Sequence, residues 1–180
     1  MSLLVFASRK YQIIHRKNEV NYKLMTLTQR LNDLQRYAAN IGDGTISMQD
    51  MMNMPASCFQ RGLAFMAYSH NGALRGAQQN MQMMGPQIQM QMQQMQQAQG
   101  GAADERTMAQ YQNWIFNNLY KQELQKFQKH ETKLLNQQEQ EIQQEKARLE
   151  AELRMLDAEY ESTAQAEKQS VNFWKPEYTA

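Results

Sequence analysis

Apolar side chains recur along the first forty residues in an alternation of three and four. Leu3, Phe6, Ile13 and Val20 lead, and Leu24, Leu27, Leu31, Leu34, Ala38 and Ile41 complete the series. Lys10 and Lys17 are its only polar interruptions. An unbroken seam of this kind predicts a coiled-coil-like helix over residues 1–41. The "NIGDG" that follows predicts its end, with Gly42 suited to a left-handed C-cap.

A second helical segment is predicted over residues 45–84. Ser47 and Asp50 stand three apart, as an N-cap and its reciprocal partner do. Pro55 breaks the chain and suits the first turn of a new helix. Phe59, Leu63, Met66, Ala73, Ala77, Met81 and Met84 then follow at helical spacing. Gly62, Gly72 and Gly76 lie among them, small enough to let another helix approach closely, although each costs about 1 kcal/mol of helix propensity. Such a segment needs contacts from elsewhere to hold its shape. Gly85-Pro86 predicts a break, and residues 85–103 read as a Met/Gln-rich linker. Alternation and helical spacing both fit parts of 81–101, so its conformation stays open.

Residues 104–170 contain no Gly or Pro and predict one long helix. Met108, Tyr111, Ile115 and Leu119 open its stripe, and Leu135, Ile142, Leu149, Leu153, Leu156 and Tyr160 continue it. Glu139 and Lys146 fall where apolar residues would serve better, a pattern that fixes register or partner at a cost in stability. Residues 171–180 form a tail carrying Phe173, Trp174 and Tyr178. Aromatics of this size bury about 150–250 Å² each, so the tail reads as an anchor, either onto the protein's own helices or onto another subunit.

Charge links the two long segments. Residues 1–41 hold seven Arg and Lys against two acids, a net +5, and residues 104–170 hold nine against thirteen, a net −4. Opposite charge and matching amphipathicity predict that they pair, within one chain or between neighbours. The predicted fold is all-α: an elongated antiparallel helical hairpin or coiled coil with a shorter helical segment in the middle. The predicted interface is Val20, Leu24, Leu27, Leu31 and Leu34 with Ile142, Leu149, Leu153, Leu156 and Tyr160.

Composition narrows the function. The formal net charge of the 180-residue chain is +1, which argues against broad nucleic-acid binding. Cys58 is the only cysteine, so no internal disulfide and no CxxC centre can form. "MSLLVF" is shorter than the roughly 7–15 apolar residues of a secretory leader and its positive charges follow it. No run reaches the roughly 20 apolar residues of a membrane span. These features predict a cytoplasmic protein, or one exported without a cleaved signal.

Candidate chemistry is sparse. Met81, Met83, Met84, Met90, Met92 and Met95 are soft thioether donors able to hold Cu(I). The same strip also reads as an adaptable uncharged connector, and no His or Cys lies within it. His15, His70 and His130 are scattered, and Cys58 and His70 do not share a chelating spacing. The chain has no GxxxxGK[ST], GxSxG or HExxH, and its carboxylates from Glu139 to Glu161 are interleaved with Lys and Arg on a solvated helix. No enzyme and no cofactor are predicted.

The seam "VNYKLMTLTQRLNDLQRYAANIGDG" and the segment "LEAELRMLDAEYESTAQAEKQSV" together resemble the terminal helices of flagellin-like and type III secretion filament subunits. That resemblance implies a structural protein whose terminal helices form a coiled coil that polymerises, exported without a cleaved signal. The expected partner is the protein itself. The alternatives from other classes are a Cu(I)-binding protein and a coiled-coil adaptor or secretion chaperone that holds another helical protein.

Overall fold

The structure, a computed structural model, describes residues 3–42, 46–98 and 105–173. Among these the protein is all-α, with no strand. Helix α1 runs Leu3–Ile41, α2 Met48–Met52, α3 Ala56–Ala98 and α4 Glu105–Phe173. They are arranged in two compact units, one of residues 1–32 with 137–180 and the other of residues 33–136.

In the first unit α1 packs antiparallel on α4. Arg9 Nε donates to Glu159 at 2.8 Å, and seven residues later Arg16 Nε donates to Glu152 at 2.7 Å. The core side chains are those of the predicted seam: Ile13, Val20, Ile142 and Leu149 are buried. Lys10 and Lys17, which interrupt the seam, are ion-paired with Glu167 and Asp157. Both ammonium groups lie near the ring of Tyr160, at 5.9 and 5.8 Å from its centroid. The long aliphatic stems fill the seam while the charged heads are neutralised at its rim.

In the second unit α3 runs antiparallel to the first half of α4. The small residues along α3 set how close the helices come. Ala73 and Ala77 are fully buried, and a Cβ on Gly72 would stand 2.5 Å from the Phe127 ring of α4. Tyr68 packs edge-on against that same ring at 5.1 Å. The end of α1 closes this core through Leu34, Tyr37 and Ile41, all buried.

Three local expectations are corrected. Gly42 is not left-handed; its N–H reaches Ala39 O at 3.2 Å in a tight turn. The last carbonyls of α1 are instead taken by Gln128 of α4, whose Nε2 donates to Ile41 O at 3.1 Å and to Gly42 O. A side chain from the packed helix thus does the capping that a left-handed residue would otherwise do. Next, α3 begins at Ala56, so Pro55 precedes it. Finally, Gly85-Pro86 does not end the helix, which continues to Ala98. Proline's ring disfavours helical geometry at the preceding residue partly by crowding its Cβ, and glycine has none. The capping box is present as predicted: Ser47 Oγ accepts from Asp50 N–H at 3.1 Å, and the Asp50 carboxylate accepts from Ser47 N–H at 2.9 Å.

Candidate interaction surface

The predicted interface residues are placed as follows. Val20, Leu34, Ile142 and Leu149 are buried, while Leu24, Leu27, Leu31, Leu153, Leu156 and Tyr160 are half-buried. The Arg9–Glu159 and Arg16–Glu152 pairs set the register, which puts Val20 level with Leu149 and Leu27 level with Ile142 to within one residue. Leu34 belongs to the second unit. These side chains therefore bury against partners within the same chain. Of the predicted tail anchor, Trp174 and Tyr178 lie outside the described residues, and of Phe173 only the backbone is described, as the last residue of α4.

The sequence spacing of these two bonds continues along both helices. Basic residues recur at 9, 16, 23 and 30 on α1, and Glu159, Glu152, Glu145 and Gln138 recur opposite them on α4. Seven-residue spacing keeps each series on one flank of its helix. Arg16 is also bonded to Glu19, 3.1 Å away, and both carboxylates hold its guanidinium above the ordinary arginine pKa.

A second face of α1 is missed by the single-seam reading. Leu4, Tyr11, Ile14, Tyr22 and Met25 lie about 130° around the helix from the seam, at 3.6 residues per turn. They are exposed, Leu4 at 77 %, Tyr11 at 71 % and Tyr22 at 68 %. Ala7 and Asn18 fill the gaps in the series, so its spacing runs three, four, three, four, four, three. No charged residue falls on this strip between Leu3 and Met25.

The second unit has three further features. Tyr37 is fully buried, with its hydroxyl 3.2 Å from Glu131 Oε1, which Arg61 Nε also reaches at 2.7 Å. Arg61 lies over the Tyr37 ring at 5.4 Å. Burial, reinforced by the Glu131 carboxylate, pushes the Tyr37 phenol well above the ordinary tyrosine range. His70 Nδ1 is 2.7 Å from the Tyr120 hydroxyl. A groove of about 500 Å³ opens between α3 and α4, lined by Met84, Ile88, Tyr111, Trp114, Ile115 and Leu119 among others, with Trp114 stacked on Tyr111.

The methionine strip is helical from Met81 to Ala98. Helical register puts Met81, Met84 and Met92 on one side, with Met92 about 12 Å along the axis from Met84, and Met83 and Met90 about 140° away, whereas a soft-metal site needs several thioethers converging on one ion. Phe59, Leu63 and Met66, predicted on the buried stripe of α3, are exposed, and only Ala73 and Ala77 beyond them are fully covered. Cys58 is buried, with its thiol 3.7 Å from Asp33 O. Among the described residues no group of three or more His, Cys, Asp or Glu is gathered as a metal site, and no helix is long and apolar enough to cross a membrane.

Comparison with family models, with curated proteins and with solved structures returns no match.

Proposed function

We propose that this protein is a non-enzymatic structural subunit that assembles with copies of itself through helix faces. The observation that supports this most is the second, uncharged face of α1, which leaves Leu4, Tyr11, Ile14, Tyr22 and Met25 exposed although the seam of the same helix is satisfied by α4. Exposed apolar residues scattered singly need no explanation, but a stripe held in register over three heptads is a contact surface. The second unit adds its own exposed stripe at Phe59, Leu63 and Met66. A subunit with two separate contacts can propagate into a chain, which is what the resemblance to filament subunits implies.

This reading moves the self-contact away from the predicted Val20–Leu34 seam, because that seam is filled within the chain. The Cu(I) reading gains no support from methionines spread along and around the helix. Negative-stain electron microscopy and sedimentation across a concentration series test the proposal. Oligomers or ordered polymers growing with concentration support it, and a monomer of intact helicity at every concentration refutes it.

A further inference from the structure

Resting on that reading, we infer that two copies pair through α1 outer face to outer face, antiparallel, about a two-fold axis passing between Ile14 and His15.

About this point the stripe is complementary in size between two large ends. Antiparallel pairing about this point sets Leu4 against Met25 and Tyr22 against Ala7. It also sets Tyr11 against Asn18, so at the two levels between the Leu4–Met25 ends a large residue meets a small or polar one. That alternation lets side chains interdigitate. Parallel in-register pairing would place Tyr11 on Tyr11, Tyr22 on Tyr22 and Ala7 on Ala7, crowding two levels and leaving a gap at a third. Antiparallel pairing also opposes the two helix dipoles.

Charge selects a protein surface of the same kind. In this unit, residues 3–32 carry six basic residues against one acid and residues 137–173 carry four against nine, so +5 and −5 cancel. Arg9, Lys10, Arg16 and Lys17 are already engaged by acids of α4. Neither an anionic lipid surface nor a nucleic acid finds the net positive charge it would need. An uncharged face is matched best by another uncharged face, and an isologous contact supplies one automatically. The area is adequate as well. Tyr11 and Tyr22 can each bury on the order of 150 Å², and Leu4, Ile14 and Met25 bring the stripe toward the low end of a stable interface, about 600 Å² per partner.

Cysteine cross-linking tests the arrangement in the full chain, with Cys58→Ala removing the native thiol. Ile14→Cys, next to the axis, should give a disulfide-linked dimer on mild oxidation. Leu4→Cys alone should not, because its two copies would stand about 30 Å apart. Leu4→Cys mixed with Met25→Cys should restore the cross-linked dimer. A self-linked Leu4→Cys dimer would overturn the antiparallel arrangement. Absence of cross-links from Ile14→Cys and from the mixture, in protein that still associates by sedimentation, would show that another face carries assembly. Absence of association altogether would remove the broader reading too.

Discussion

Arg16 of α1 donates to Glu152 of α4 across 2.7 Å, and one heptad earlier on α1 Arg9 donates to Glu159, one heptad later on α4. A step of seven residues forward on α1 is matched by seven back on α4, which defines an antiparallel register for the first unit. They place the basic flank of one helix along the acidic flank of the other, as the opposite net charges of the two segments predict. The pairs are partly exposed, so their role is to choose register more than to add stability.

Charge exchange tests that register. Glu152→Arg should lower the melting temperature by a few degrees at low salt, and less at high salt, because screening weakens both the lost attraction and the new repulsion. The double variant Arg16→Glu/Glu152→Arg should recover most of the loss. Thermal melts at two ionic strengths check this, and an additive double variant would show that the two residues do not interact.

Gly72 is required by its neighbour. Alanine normally gains about 1 kcal/mol over glycine within a helix. Here the new Cβ would stand 2.5 Å from the Phe127 ring, which Tyr68 restrains from the side. Overpacking costs about 1–3 kcal/mol, so Gly72→Ala should be net destabilising by about 1 kcal/mol in denaturant unfolding. Adding Phe127→Leu should return part of that loss.

Pro86 sits exposed within α3, where its ring removes one backbone donor. Pro86→Ala should raise helicity and stabilise the protein by about 1–3 kcal/mol, read by circular dichroism during denaturant unfolding. A drop in helicity would mean that the proline makes a contact needed elsewhere.

Tyr37 gives a pH signature at the alkaline end. Its phenol holds its proton more tightly in the folded protein than in the unfolded chain, where it ionises near 10.0. Above that pH the unfolded chain binds fewer protons, so unfolding is favoured as pH rises. The stabilising contribution is complete below pH about 10 and is lost as pH climbs toward the folded value. Tyr37→Phe should flatten this part of the stability profile between pH 9 and about 11. An unchanged alkaline slope would place the effect in other groups.

Much of the fold was legible because helical periodicity and burial report the same quantity. The three-four spacing from Phe6 to Ile41 picks out positions that are buried or half-buried, and the stripe from Leu135 to Tyr160 on α4 does likewise. Tyr37 escapes the seam, which runs through Ala38, because a tyrosine with a buried hydroxyl partner does not show in an apolar pattern. Gly85-Pro86 reads as a stop because breaker residues act locally, whereas the helix continues through them to Ala98. The outer face of α1 could have been found from a second series offset from the first and free of charge. Once one seam explains a helix, its other exposed apolar residues look like ordinary surface, and only their exposure in the folded protein separates the two faces.

On the reading proposed above, α1 uses one face to fold and the other to assemble. Sedimentation equilibrium of Tyr11→Glu/Tyr22→Glu, compared with the unaltered protein and paired with a thermal melt, tests it most directly. Helix content and melting temperature at low concentration should be unchanged, and self-association should be lost. Association as strong as that of the unaltered protein, or collapse of the helices themselves, would contradict it.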